Sequence, residues 1–234
     1  MFFKTFIAVA CTSFVVATSA RAQELPSKHV TLMMPYAAGG PGDTLTRIIG
    51  QGMGKVLGRV FLVENVAGAG GTLGTAKVAA SAPDGYSLLV MHFGHAANTA
   101  LYRNLRYDPI KDFEPIGMIV ESPMVFVARK DFPARDFNDF VAHVKTNREK
   151  VVHGHAGVGS LWAPKGTPKS VIDTLSAALQ KALKDPDVCN RLAAAGAETV
   201  SSERAQPEAL RAHLKSEIDR WTPIIKKAGV SADW

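Results

Sequence analysis

The first half of the chain alternates short apolar runs with stretches of helical periodicity. The apolar runs are Val30 to Met34, Val60 to Val63 and Ser87 to Met91, and apolar residues such as Leu45 and Ile49 recur at helical spacing between them. Strand, loop and helix repeating in this way are typical of parallel βαβ units with right-handed crossovers. The sequence therefore predicts an α/β fold built around a mainly parallel sheet.

The rest of the chain is predicted to change character from strands to helices. Further strands are predicted at 116–120, 124–128 and 151–153, with a helix around Phe137 to Val144. The last third is predicted to be helical, and each of its three helices is expected to start at a proline. These predicted starts are Thr167-Pro168, Asp185-Pro186 and Gln206-Pro207.

The N-terminus has the pattern of a secretory signal. Met1 to Lys4 form a basic start, Phe6 to Ala20 are mostly apolar, and Ala20-Arg21-Ala22 places small residues where signal peptidase cleaves. The apolar stretch is too short to span a bilayer. We therefore expect residues 1–22 to be a signal peptide cleaved after Ala22, and the mature protein to be periplasmic.

Charge and cysteine content narrow the class of protein. The net charge is +6, but residues of both signs are interspersed, which indicates a solvated surface and no nucleic-acid partner. Cleavage after Ala22 would leave Cys189 as a single cysteine, which cannot form an internal disulfide. The mature protein is therefore expected to depend on a packed apolar core.

Two glycine-rich loops, residues 35–44 and 65–72, each lie between a predicted strand and a predicted helix. Glycine allows a ligand to approach the backbone closely, and the following helix directs free N–H groups and its positive dipole end into the loop. Because neither loop contains Lys or Arg, the composition favours a small carboxylate over a phosphate. Glycine-rich turns also fit tight βα connections without any ligand, and the sequence leaves both interpretations open.

Two histidines directly follow the third predicted strand. His92 and His95 are expected to line the same sheet edge as polar pocket residues, with ordinary loop histidines as the alternative. Since no acidic or cysteine ligand lies nearby in sequence, a metal site is not expected. The run from Gly68 to Leu73 has two glycines of a dinucleotide fingerprint, but Leu73 occupies the position of the third, and no cofactor is expected.

The sequence does not contain a recognisable catalytic set. Ser160 follows Val158-Gly159 and does not lie in a G-x-S-x-G elbow, and no paired carboxylates suggest acid–base chemistry. These observations predict a binding protein and disfavour a periplasmic hydrolase.

A set of motifs spread along the chain carries a family resemblance. They are Val30 to Asp43, Val63 to Gly71, Ala82 to Tyr86, Leu101-Tyr102, Tyr107 to Gly117 and Ala163 to Pro168. Together they resemble the Bug-type extracytoplasmic receptors of tripartite tricarboxylate transporters.

The resemblance implies a periplasmic-binding-protein-like (type II) two-lobe fold that closes on a small organic acid. The receptor would act as a monomer and present its ligand to a membrane permease. The two glycine loops and the turn from His92 to His95 would belong to the first lobe. The resemblance implies that this lobe contacts the ligand through Ala38, Gly39, Gly40, Asp43, Gly70 and Gly71. The second lobe would offer a further glycine loop, with Gly157, Gly159 and Ser160 as candidate contacts.

One departure from the family pattern lies directly after Ser160. In the family this loop opens a helix followed by further elements of the second lobe, whereas here Leu161 to Pro164 follow at once. We therefore expect a truncated second lobe, with residues 23–112 and 161–234 forming the first lobe and residues 113–160 the remnant of the second.

Two consequences of this truncation are hypotheses. Residues 116–128 should expose apolar strand surface and an unpaired sheet edge, and ligand affinity should be impaired because the clamp is incomplete. The alternative function is that of an exported α/β protein that no longer binds solute and acts only through protein contacts or is non-functional.

Overall fold

The computed structural model describes residues 28–121, 130–147, 159–229 and 231–232. The predicted signal peptide, the strands predicted at 124–128 and 151–153, and Gly157 lie outside the described residues.

The described residues form strands and α-helices in an alternating order. The strands are β1 (Val30–Met34), β2 (Phe61–Asn65), β3 (Ser87–Met91), β4 (Phe113–Met118), β5 (Val120–Glu121), β6 (Ser160–Pro164) and β7 (Glu198–Thr199). The helices are α1 (Pro41–Leu57), α2 (Thr72–Ala79), α3 (Gly94–Leu101), α4 (Phe137–Thr146), α5 (Lys169–Ala182), α6 (Pro186–Ala194) and α7 (Pro207–Ala228). The α/β class predicted from the sequence is confirmed.

A five-stranded sheet with the order β2-β1-β3-β6-β4 forms the centre of the fold. β1 pairs in parallel with both β2 and β3, as the βαβ pattern predicts. β6 is antiparallel to its neighbours β3 and β4. A separate short pair joins β5 and β7. The sheet therefore has a parallel half and a half organised around one antiparallel strand.

The core lies on both faces of this sheet. Leu32 and Leu161 pack with α1, α5 and α6 on one face, whereas Met33 and Trp162 pack with α2, α3 and α7 on the other. Successive strand residues point to opposite faces, and here both faces are covered. This explains why the strands are continuous apolar runs in the sequence.

The predicted boundary at residue 113 does not coincide with a break in the sheet. β4 and β6 lie in the same sheet as β1 to β3, so Phe113 to Met118 and Ser160 extend the first-lobe sheet. The predicted exposure of apolar residues is wrong for the described part, since Ile116, Met118 and Val120 are all buried. α5 and α7 pack against β4, which accounts for this burial.

Local signals predicted two of the three C-terminal helix starts. Asp185 accepts a hydrogen bond from the Asp187 N–H at 2.9 Å as a helix cap, and α7 starts at Pro207. Thr167 is not the cap of α5, because its hydroxyl donates to the Pro164 carbonyl at 2.8 Å and closes the turn after β6. α3 was not predicted.

Candidate ligand-binding site

The carboxyl ends of the parallel strands meet at one edge of the sheet. Met34 of β1 is paired with Asn65 of β2, and Met91 of β3 is paired with Ser160 at the start of β6. Loops from the ends of β1, β2 and β3 lead into α1, α2 and α3 respectively. All the predicted site residues that the structure describes therefore lie at or beside this edge, which is where ligands bind in open α/β sheets.

The first glycine loop is held in place by Asp43. The Gly39 N–H donates to Asp43 Oδ2 at 2.9 Å, and Arg47 Nε donates to the same oxygen at 3.0 Å. Burial acts to raise the pKa of Asp43, but the hydrogen bonds from Arg47 and Gly39 outweigh it and hold the pKa below its ordinary value. The buried carboxylate thus braces its own loop, and Arg47, which the sequence analysis missed, balances its charge. An Asp and an Arg four residues apart at a helix start were the available signal.

The second glycine loop is packed closely against two tyrosines. The Tyr36 hydroxyl donates to the Gly70 carbonyl at 3.0 Å. Gly71 has a φ of +88°, and a Cβ at this position would lie 2.9 Å from Tyr36 Oη. A Cβ on Gly70 would lie 2.5 Å from Tyr102 Oη. Both positions therefore require glycine for conformation and for space.

Tyr36 joins the loops after all three parallel strands. Its ring stacks on His92 with 4.7 Å between ring centroids, while its hydroxyl contacts the second glycine loop. Its backbone carbonyl accepts a hydrogen bond from Asn65 at 3.0 Å. Burial raises the pKa of Tyr36 well above its ordinary value, so the hydroxyl stays protonated and available as a donor. The sequence analysis quoted Tyr36 in a motif without assigning it a role.

The two predicted histidines lie in different environments. His92 Nδ1 accepts a hydrogen bond from the Gly94 N–H at 2.9 Å, at the start of α3. His95 is 1% exposed and packs against Phe113 and Trp162. Burial lowers the pKa of His95 to about 3, although the Pro109 carbonyl acts in the opposite direction, so the ring is neutral at physiological pH. No group of His, Cys, Asp and Glu side chains suited to a metal ion occurs within the described residues.

Three helix N-termini end at this edge. In the described structure those of α1 and α2 have no side-chain cap, whereas the first N–H of α3, that of Gly94, donates to His92 Nδ1. The N-cap residues are Gly40 for α1, Gly71 for α2 and Phe93 for α3, and none of their side chains accepts a helix N–H. Each such terminus presents backbone donors and a partial positive charge. Their grouping around Tyr36 and His92 makes the edge suited to an anion bound by backbone amides and hydroxyls.

Ser160 and Gly159 are placed differently from the loop that the sequence analysis predicted. Ser160 begins β6, and its hydroxyl donates to the Met91 carbonyl at 2.8 Å and accepts from Trp162 Nε1 at 2.9 Å. Gly159 accepts a backbone hydrogen bond from Ile119. The Ser160 hydroxyl therefore joins β6 to β3, and its hydrogen bonds within the described residues are to Met91 and Trp162 and not to a histidine that could activate it as a nucleophile.

Comparison with known proteins identifies the family. The sequence profile described as the tripartite tricarboxylate transporter family receptor matches residues 45–162 and 160–230. The chain belongs to this receptor family. Its members are solute-binding receptors of the periplasm and not enzymes. The two matched segments meet at residues 160–162, where the sequence analysis placed the missing part of the second lobe.

Individual relatives agree with this membership. The UPF0065 protein in the TAR-I ttuE-ttuC' intergenic region of Agrobacterium vitis is 35% identical over 316 aligned residues, which cover 96% of this chain and 91% of that protein. Because the alignment is longer than this 234-residue chain, the relative contains a stretch that this receptor lacks.

Solved structures are similar in fold. The periplasmic binding protein BugD has a TM-score of 0.75 and 30% identity, with 88% of this chain and 99% of BugD covered. MatC from Rhodopseudomonas palustris, solved with bound malate, has a TM-score of 0.76 and 28% identity, with 86% of this chain and 99% of MatC covered. The Bug-type resemblance and the periplasmic-binding-protein-like fold are thus confirmed. None of the described helices is long and apolar enough to cross a membrane.

Proposed function

We propose that this receptor binds a small organic carboxylate at the parallel edge of its sheet and delivers it to the permease of a tripartite tricarboxylate-type transporter. The observation that supports it most is the grouping of three helix N-termini around Tyr36 and His92, of which those of α1 and α2 have no side-chain cap. A carboxylate has the size and charge to accept hydrogen bonds from such backbone donors. The malate bound by MatC, a relative of the same fold, supports a dicarboxylate as the ligand class.

The residues of the edge divide into two roles. Gly70 and Gly71 allow the ligand to approach the backbone because no side chain can occupy their positions beside Tyr36 and Tyr102. Asp43 acts indirectly, because its carboxylate is already engaged by the Gly39 N–H and Arg47. The Tyr36 hydroxyl also acts indirectly, because its raised pKa keeps it protonated and its proton is donated to the Gly70 carbonyl, which holds the second glycine loop in place.

The ligand is expected to bind weakly. The family relative contains a stretch that this chain lacks. We expect this stretch to follow residue 160, where the two matched segments meet, and to belong to the opposing half of the clamp. With one wall of backbone donors, we expect a dissociation constant on the order of 1 mM, since each missing 1.4 kcal/mol weakens binding tenfold. A dissociation constant of about 1 μM or lower would contradict the expectation that ligand affinity is impaired.

A thermal-shift titration tests the proposal. Malate, succinate and citrate are compared with the uncharged diamide succinamide, using the full exported chain. A bound carboxylate raises the melting temperature with concentration by mass action, whereas the diamide should not. Stabilisation by at least one acid and none by the diamide supports carboxylate binding. Equal shifts with acid and diamide would refute it.

A second candidate function is that of an exported α/β protein that binds no solute and acts through protein contacts. It is favoured by the internal engagement of Asp43 and Ser160, two polar residues that the sequence analysis placed in the pocket. The same titration separates the two functions, since this candidate requires that no acid changes the melting temperature at any concentration up to about ten times the expected dissociation constant.

A further inference from the structure

A second cavity of about 540 Å³ opens beside the antiparallel half of the sheet, between β4, β6, α3 and α7. Its size falls in the range of small-molecule sites, about 300–1,000 Å³. His92 borders both this cavity and the proposed carboxylate site, but neither glycine loop contributes to the walls of the cavity. The carboxylate site proposed above therefore does not account for it.

The walls of this cavity are aromatic and its charged residues are acidic. Phe93, Trp162 and Trp221 line it, and so do Glu198 and Glu217, whereas Lys and Arg are absent from the described lining. Aromatic faces and carboxylates attract cations and repel anions. The first turn of α3 also lines the cavity and brings a partial positive charge, but the carboxylates of the lining carry full negative charges and disfavour a carboxylate ligand here.

His95 supplies an unpaired polar group inside the cavity. The residue lines the cavity and is 1% exposed. The Pro109 carbonyl is near enough to raise the pKa of the ring, but neither ring nitrogen has a hydrogen-bond partner of normal geometry in the described structure. A buried polar atom without a partner costs about 1–3 kcal/mol, so such atoms usually pair with a ligand or water. A neutral imidazole has one acceptor nitrogen, and an ammonium N–H is a suitable donor to it.

The neighbouring charges leave part of the acidic lining uncompensated. Arg204 forms an ion pair with the lining residue Glu121. Arg220 lies 4.0 Å from Glu217 and stacks over the ring of Trp221 at 5.4 Å. Glu198 has no ion-pair partner among the residues that the structure describes. The Arg220 contact also shows that the Trp221 ring already attracts a cation on one face.

We propose that this cavity binds a small organic ammonium ion with an apolar body, with the aromatic walls around the apolar part, Glu198 and Glu217 facing the charge, and His95 accepting a hydrogen bond. The site shares His92 and the start of α3 with the carboxylate site, but the residues that would hold the ammonium ion are different, and the proposal does not depend on carboxylate binding. It would allow the receptor to respond to an amine as well as to an acid.

Intrinsic fluorescence provides a direct test because Trp162 and Trp221 lie in the cavity wall. Phenethylammonium is titrated into the full exported chain alongside 3-phenylpropionate and 2-phenylethanol, which share the apolar body but are anionic and neutral. We expect saturable quenching by phenethylammonium with a dissociation constant below about 1 mM, and at least tenfold weaker binding of the other two. Equal or tighter binding of 3-phenylpropionate, or no saturation by the amine, would overturn the proposal.

Matched variants identify the charged partners. Glu198→Gln and Glu217→Gln should each weaken phenethylammonium about fivefold, while Glu208→Gln, a control on the first turn of α7 outside the cavity, should leave it unchanged. Glu217→Gln retains an acceptor for the Trp221 Nε1 hydrogen bond of 2.9 Å, so the wall should stay intact. Unchanged amine binding in both cavity variants contradicts the proposal. Malate should bind these variants with the same affinity as wild type. A failure of the carboxylate proposal would therefore be distinguishable from a failure of the ammonium proposal.

Discussion

The two halves of the central sheet border sites that differ in the groups that line them and in the sign of their charge. Beyond β1, β2 and β3 the surface consists of backbone, glycines and three helix N-termini, which together are electropositive. Beyond β6 and β4 the surface consists of aromatic side chains and carboxylates, which together are electronegative. The comparison shows that a parallel strand–loop–helix pattern provides backbone N–H groups for binding an anion. Beside an antiparallel strand no such helix N-terminus follows, and the charge of the surface is determined by side chains.

The antiparallel half is closely packed around Gly117, and the largest predicted effect follows from this. Gly117 in β4 faces the Ala205 carbonyl and the Leu179 side chain so closely that a Cβ would overlap both. We expect Gly117→Val to lower the free energy of unfolding by about 3 kcal/mol or more, measured by urea denaturation, since a backbone carbonyl cannot move away.

Gly159→Ala is the stability control for that substitution. A Cβ there would meet its nearest neighbour, Val120, at 3.5 Å, which is ordinary contact. Its loss of stability should stay below about 1 kcal/mol. If both variants were equally stable, the tight packing assigned to the antiparallel half would be wrong.

The glycine loop of the parallel half should be sensitive in both stability and binding. Gly71→Ala places a Cβ against Tyr36 Oη at a φ of +88°. We expect a loss of about 1–2 kcal/mol in unfolding free energy from the left-handed conformation, together with at least tenfold weaker carboxylate binding. Chemical denaturation and calorimetry measure the two effects.

Gly196→Ala separates backbone strain from the ligand site. Gly196 has a comparable φ of +76°, but nothing lies within 4 Å of its Cβ position and it is remote from the glycine loops. This variant should lose a similar amount of stability from conformation alone and keep wild-type binding. Weakened binding in Gly196→Ala would mean that global destabilisation, and not the loop, explains the effect of Gly71→Ala.

The smallest effect concerns an ion-pair cluster at the far end of β4. Lys165 Nζ lies 2.5 Å and Arg211 2.7 Å from the Glu114 carboxylate. Burial acts to raise the pKa of Glu114, but these two partners outweigh it and lower the pKa below its ordinary value of 4.5. Because both cations are half-exposed, Glu114→Gln should cost only about 1 kcal/mol at pH 7.

The pH dependence of this effect has a definite sign. A carboxylate with a lowered folded-state pKa stabilises the fold above its unfolded pKa, and this stabilisation is lost as the pH falls through the folded value. The difference between wild type and Glu114→Gln should therefore shrink as the pH is lowered from 7 to 3 in urea denaturation. A constant difference over that range would show that the pair contributes through packing alone.

Much of the parallel half could be predicted because its signals are contiguous in sequence. β1 and β3 begin and end at the residues that the apolar runs indicated, and both glycine loops join a strand to a helix. α3 was missed because Gly94 lies at its start and its short sequence has little apolar periodicity. The bracing role of Asp43 requires knowing where its carboxylate points, which composition does not reveal.

The antiparallel half could not be predicted to the same extent. β4 and β6 are separated by more than forty residues, and their pairing depends on packing against α5 and α7. The cavity combines Phe93, Trp162, Glu198 and Trp221, and no local pattern connects these positions. Residues far apart in sequence come together only through tertiary packing, so the second site became apparent from the structure alone.

Isothermal titration calorimetry of malate binding to the full exported chain tests most directly that the parallel edge is a carboxylate site. We predict saturable binding of one malate per chain with a dissociation constant on the order of 1 mM, weakened at least tenfold in Gly71→Ala and unchanged in Gly196→Ala. No saturable heat from any of malate, succinate and citrate, or equal malate affinity in wild type and Gly71→Ala, would contradict it.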